Sequence, residues 1–224
     1  MDFTTLTTCR LFRGLSIEEI KTIIGNISCY IKHYEEGETV YHLMSKADRI
    51  GIILKGRVQA QKNIPNGNQF NFSVRQAGEL LGPAAAFSDV RKYPFEVKAM
   101  ETTDILTFER TGLLQMLQSD VRLMDNFISE LASANFLLQQ RLELLTYNAI
   151  QQKIAFYLLM TSKESGRATV PIPGSMTRWA LMMNVSRPSL HRELKKMEEQ
   201  NLIRYSPPVI EIVNLDGLWR VLGE

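Results

Sequence analysis

The 224-residue chain is 45% hydrophobic and 22% charged, ordinary proportions for a globular protein with room for two modest domains, each with its own core. Its net charge is only +2, which excludes a uniformly basic coat, so any nucleic-acid surface must be a local patch. MDFTTLTTCR lacks an apolar signal core and no run of about 18 apolar residues follows, so we expect no membrane contact and a cytoplasmic protein.

Two cysteines, Cys9 and Cys29, are too few and too widely spaced for a disulfide framework or a paired-cysteine metal site. We expect no metal site and two thiols that act as small hydrophobes or stand idle. The chain has no nucleophile elbow, no phosphate-binding loop, no H-E-x-x-H and no cysteine with an evident histidine partner. It does not read as an enzyme.

Residues 3–24 open with a short amphipathic helical stretch, in which Ser16 and Glu19 form a capping box ahead of IEEIKTII. From Ile27 to about Phe108 the pattern changes to short alternating or apolar runs punctuated by glycine: YIKHY, TVYHL, RIGIILKG, RVQAQKN, QFNFSVR, FEVKAM and DILTFE. Evenly spaced short strands of this kind predict a β-barrel or sandwich. Asn66-Gly67 signals a hairpin, and Gly37, Gly56 and Gly78 mark further corners.

From Ser119 to about Tyr147 the period is helical again. Met124, Phe127, Leu131, Ala134, Leu138, Arg141 or Leu142, and Leu145 recur at alternating steps of three and four. That is an a/d seam of three heptads or more on a rod roughly 40 Å long. A parallel dimer helix and an ordinary core helix both fit it. Asn148 can cap the next helix, AIQQKIAFYLLMTSK, and KESGRATVPIPGS reads as a loop with a short strand.

The most informative stretch is Ser175–Ile203, SMTRWALMMNVSRPSLHRELKKMEEQNLI. Trp179, Ala180, Met183, Val185, Leu190, Leu194 and Met197 give two short helices one buried face. Asn184 sits at the break between them, and Ser186 is placed to cap the second helix with Pro188 in its first turn. Its outer face keeps Arg187, Ser189, His191, Arg192, Lys195 and Lys196. Arg187 and Ser189 lie at the end that enters the major groove in helix-turn-helix proteins, where arginine can bond guanine O6 and N7. Lys195 and Lys196, with Thr177 and Arg178 on the first helix, suit phosphate contacts that set register. Leu202–Tyr205 and Val209–Val213 flank Ser206-Pro207-Pro208 as a hairpin wing, from which Arg204 can meet phosphate.

TRWALMMNVSRPSLHRELKKMEEQNLI resembles the helix-turn-helix of the family that includes the cyclic AMP receptor protein and FNR. Tyr34-x-x-Gly-Glu-Thr, Ile53-Leu-Lys-Gly-Arg-Val and Ala77-Gly-Glu-Leu-Leu-Gly resemble the characteristic turns of that family's effector-holding β-roll. The resemblance implies an α+β architecture in three parts: a cyclic-nucleotide-binding-like β-roll over 1–110, a linker and dimerisation helix over 111–147, and a winged helix-turn-helix over 148–224. It implies a homodimeric, sequence-specific transcription regulator with a palindromic operator and RNA polymerase as partner. Positions matching Arg187, Pro188 and Arg192 are the family's base readers, and the middle one is often a glutamate that Pro188 cannot replace.

The same resemblance places the effector pocket at Gly82, Pro83, Ala84, Tyr93, Pro94, Leu138 and Gln139. Cyclic-nucleotide binders carry a ribose-binding glutamate where this chain has Pro83, and a phosphate-neutralising Arg-Ser pair where it has Tyr93-Pro94. Leu138 replaces a hydroxyl that would reach adenine. A buried phosphate needs a paired cation or several N–H donors, so we expect cyclic AMP not to bind tightly and the effector to be another small molecule. An iron–sulfur cluster of the FNR kind needs four cysteines and is excluded. Haem would need His33 or His42 as axial ligand, and nothing flanking either favours that use. A protein partner in place of DNA is the alternative, opposed by the basic outer face.

Overall fold

The computed structural model describes residues 3–63 and 69–223. It divides into two compact units, Met1–Ala134 and Asn135–Glu224.

The first unit begins with α1 (Thr4–Thr7), a 3-10 turn (Arg10–Phe12) and α2 (Ile17–Gly25). The capping box is made: Ser16 Oγ accepts from the Glu19 amide while the Ser16 amide donates to Glu19 Oε2 at 2.7 Å. Next come β1 (Cys29–Tyr34), β2 (Thr39–Tyr41), β3 (Arg49–Lys55), β4 (Arg57–Asn63), β5 (Gln69–Gln76) and β6 (Leu80–Leu81). Then follow α3 (Pro83–Phe87), β7 (Glu96–Ala99), β8 (Thr103–Glu109), α4 (Arg110–Ser119) and α5 (Val121–Thr146). The strands make two antiparallel four-stranded sheets, ordered β1-β8-β3-β6 and β2-β7-β4-β5. The Asn66-Gly67 turn lies outside the described residues.

The strand runs explain the layering. RIGIILK is apolar between its charged ends, and β8 is buried from Ile105 to Phe108 with Thr107 among its apolar residues, because β3 and β8 are covered on both faces. Ile50, Ile52, Leu106 and Phe108 face a core shared with Leu6, Phe12, Ile20, Leu113 and Phe127 of the helices. Ile53 and Ile105, one residue out of step, face a second core with Tyr34, Tyr41, Val58, Leu81 and Tyr93. Alternation on a pleated strand thus sends neighbours to different cores.

The second unit holds the rest of α5, then α6 (Ile150–Ser165), β9 (Thr169–Pro171), α7 (Met176–Met182), α8 (Arg187–Glu199), β10 (Ile203–Ser206), β11 (Val209–Ile212) and α9 (Leu215–Leu222). Its sheet runs β10-β11-β9, antiparallel throughout. One core joins Ile154 and Leu158 to Trp179, Leu190, Leu194, Met197, Ile203, Ile210 and Leu218. Asn148 does not cap α6. Ala149 takes the N-cap position without a side-chain bond of its own, and its amide donates to Gln152 Oε1 at 3.4 Å. No described helix is long and apolar enough to cross a membrane.

Candidate nucleic-acid interface and effector cavity

The turn between α7 and α8 is set by backbone chemistry. Asn184 takes a left-handed φ of 55°, its amide donates to Leu181 O at 3.1 Å, and the Val185 amide donates to Ala180 O at 3.0 Å. These two bonds close the α7 C-terminus as a Schellman motif, with asparagine supplying the left-handed residue. Asn201, with φ 55°, ends α8 in the same way, through bonds to Glu198 O and from Leu202 to Met197 O. The two N-termini are capped by serines: Ser175 Oγ accepts from the Arg178 amide, and Ser186 Oγ from the Ser189 amide, both at 3.1 Å.

Leu190, Leu194 and Met197 are fully buried, so the opposite face of α8 is left to Arg187, His191, Arg192, Lys195 and Lys196. Arg187, Arg192, Lys195 and Lys196 are on the open side of the helix, and His191 turns its ring toward the wing. Among the described residues no carboxylate meets Arg187 or Lys195. The Ser189 hydroxyl accepts from Ser186 Oγ at 2.8 Å, which leaves its own proton to donate outward. Lys196 bonds Glu193 at 3.0 Å and Arg192 approaches the same carboxylate at 3.5 Å. Those two cations hold the Glu193 carboxyl below its ordinary value, Lys196 most strongly. Thr177 and Arg178 lie on the first turn of α7.

The wing is tied to the helix, because Glu198 Oε1 accepts from the Tyr205 amide at 2.8 Å and the His191 ring stands edge-on to Tyr205 at 5.7 Å. Arg204 does not stand free: it pairs across the hairpin with Glu211 at 2.7 Å.

In the first unit, five of the residues expected to form an effector pocket come together. A cavity of about 290 Å³ is lined by Gly82, Pro83, Ala84, Tyr93 and Pro94, and also by Tyr41, Arg75, Phe127 and Glu130. Tyr93 stacks on Tyr41, with ring centroids 4.2 Å apart and planes 4° from parallel. Its hydroxyl donates to Arg49 O at 2.6 Å, and burial pushes that phenol up to about 12. Gly82 has φ 81°, and a Cβ there would sit 3.2 Å from both Arg49 O and the Tyr93 ring. The left-handed backbone at Gly82 disfavours a side chain, and a Cβ there would press on the Tyr93 ring.

Arg75 is the only cation lining the cavity among the described residues, and it is paired with Glu79 at 2.8 Å. Leu138 and Gln139 belong to the second unit and are exposed.

Of the seam residues, Met124, Leu131, Ala134, Leu138, Leu142 and Leu145 are exposed. Phe127 instead turns into the core of its own first unit, tilted against Phe87 at 5.9 Å. Phe127, Leu131 and Ala134 also line the cavity, so this stripe of α5 is its wall. His33 places Nδ1 2.6 Å from Asp104 and Nε2 3.2 Å from Glu35, so both ring nitrogens are taken up by carboxylates. His42 is exposed. Cys9 is buried, and desolvation pushes its thiol up to about 11.

Three features have no counterpart in the sequence reading: the Glu130 carboxyl in the cavity wall, the Arg204–Glu211 pair, and Lys153 buried under the α7–α8 turn. Only the second carries a local signal, since a basic and an acidic residue alternate outward on facing strands.

Residues 31–120 match the cyclic nucleotide-binding domain, and residues 152–221 match the Crp-like helix-turn-helix domain. The cAMP-activated global transcriptional regulator CRP of Salmonella typhimurium is 24% identical over 179 residues, covering 78% of this chain and 85% of that protein. A mutant of CooA from Carboxydothermus hydrogenoformans aligns over 99% of this chain and 96% of its own, at 14% identity and a TM-score of 0.61. The Thermus thermophilus catabolite activator protein aligns over 96% and 98%, at 20% identity and a TM-score of 0.57. At these identities the structural likeness concerns the fold.

Proposed function

The chain belongs to the CRP/FNR-type DNA-binding transcription regulators, and from that premise we propose how it reads DNA and what governs it. Two copies associate through the exposed apolar face of α5, and the pair presents two α8 helices to successive major grooves about 34 Å apart. Arg187, Ser189 and Arg192 read base edges. Thr177, Arg178, Lys195, Lys196 and Arg204 hold the phosphates, while Ser186, whose hydroxyl is engaged with Ser189, caps the α8 N-terminus that meets the DNA. The operator is palindromic, and RNA polymerase is the downstream partner.

One observation carries this reading: α8 is capped and anchored by Leu190, Leu194 and Met197 while its outer face keeps Arg187 and Lys195 uncompensated among the described residues. Such a surface suits a polyanion.

The roll cavity is the effector site, and cyclic AMP is not its ligand. Its lining offers a stacked tyrosine pair and Pro83, which has no N–H, where a cyclic phosphate would need donors. Phe127 and Leu131 in the cavity wall belong to α5, so a ligand there touches the dimer helix directly. Binding would favour one of two arrangements of the dimer, which is the energetic content of the regulation.

Selection of bound sequences from random duplex DNA tests the reading. The expected product is a two-fold symmetric site whose half-sites lie one helical turn apart. An asymmetric site, or no enrichment, overturns it.

A further inference from the structure

The cavity in the roll holds a buried carboxyl oxygen, Glu130 Oε2, that has no hydrogen-bond partner among the described residues. A buried acceptor without a donor costs free energy that a bound donor would recover. The rest of the lining is nearly all apolar or aromatic: Tyr41, Val58, Leu81, Tyr93, Val97 and Phe127 among others. Arg75, the one cation lining the cavity among the described residues, is already paired with Glu79 at 2.8 Å. Burial pushes the Glu130 carboxyl up, against the opposing pull of Arg10 and Arg75, so a cation or an N–H donor placed beside it relieves the desolvation.

We propose that the effector is a small, largely apolar molecule carrying one amine or hydroxyl donor, bound by Glu130 and the aromatic wall, and that anions are disfavoured. This rests on reading the roll cavity as the effector site. The volume of about 290 Å³ suits a ligand of one or two rings, at the lower end of small-molecule pockets. The five-residue α3 (Pro83–Phe87) begins at a proline and lends no amide from its first position. Glu130 lies on α5 between Phe127 and Leu131, so the ligand's polar group and its apolar body both bear on that helix.

The test is calorimetric titration of the full chain with naphthylethylamine, naphthylethanol and naphthylacetate, which share a ring system and differ in the polar group. The amine is expected to bind tightest and the acetate at least about tenfold more weakly. Glu130→Gln should weaken the amine about tenfold and leave the alcohol within about threefold. Ala60→Leu, which fills the cavity from β4, should weaken both. Equal or tighter acetate binding, no binding by any of the three, or an amine affinity indifferent to Glu130→Gln each overturns the proposal. DNA selection reads a different unit of the chain, so a failure here leaves the DNA-binding reading standing, and the reverse also holds.

Discussion

The Nζ of Lys153 donates to the Met183 carbonyl at 3.0 Å from a side chain that is 8% exposed. Met183 is the C-cap of α7, where unsatisfied carbonyls concentrate partial negative charge. The buried ammonium therefore meets the end of the first helix of the DNA-reading pair, just before Asn184 turns the chain. Lys153→Met keeps the length and removes the donor, stranding that carbonyl. We expect a loss of about 2 kcal/mol in urea unfolding, with melting of the second unit ahead of the first. An unchanged midpoint would show that water satisfies the carbonyl as well as Lys153 does.

The sequence hides Lys153 for a physical reason. Its partner is a backbone atom 30 residues away, and a lysine in an amphipathic helix reads as solvent-facing. What is legible is local: the Ser16–Glu19 box, the Ser186 cap, Asn184 in the turn, and the apolar runs of β3 and β8. The five-residue α3 is too short to show a helical period and α4 is only weakly amphipathic, so neither is marked by its spacing. The α5 seam shows both cases at once. Its period is plain, but nothing in the spacing says that Phe127 serves its own core while Leu142 stays exposed. The cavity residues around Pro83 and Tyr93 are found through a family pattern, whereas the stacking of Tyr93 on Tyr41 is created only by the fold.

Arg204 and Glu211 form an exposed ion pair, with side chains 65% and 46% accessible. Such a pair adds at most about 1 kcal/mol of stability, so its main effect is on the wing's charge. Arg204→Ala should lower the slope of log K against log salt by about 0.9, the signature of one fewer phosphate neutralised. Glu211→Gln should tighten DNA binding at low salt while leaving the melting temperature nearly unchanged. A salt slope unaffected by Arg204→Ala would remove the wing from the phosphate-binding surface.

His33 sits between two carboxylates, and its pKa is raised above 6.5, chiefly by the hydrogen bond to Asp104 and next by that to Glu35. A raised folded pKa means that the interaction contributes below the unfolded value and is lost as pH rises through the folded one. Proton NMR of the imidazole should therefore show a midpoint above 6.5 that moves back toward that value in Asp104→Asn. A midpoint unmoved by that change would show that the close Asp104 contact does not persist in solution.

Leu138 and Leu142 lie one helical turn apart on α5 and are 56% and 58% exposed. Phe136, Leu137 and Leu145 are also exposed. An open apolar surface of this extent marks a contact with another molecule. The alternating steps of three and four from Leu131 to Leu145 suit a second copy of the same helix. Leu138→Glu with Leu142→Glu would set like charges across the two-fold axis without disturbing any buried residue. Sedimentation should then give a single subunit at concentrations where the unaltered chain is a dimer, and affinity for a palindromic duplex should fall at least about a hundredfold because the second half-site no longer contributes. Circular dichroism and the melting of the second unit should be retained, which separates a failure to associate from a failure to fold. If the doubly substituted chain still sediments as a dimer, association runs through another surface and the α5 stripe serves only the cavity.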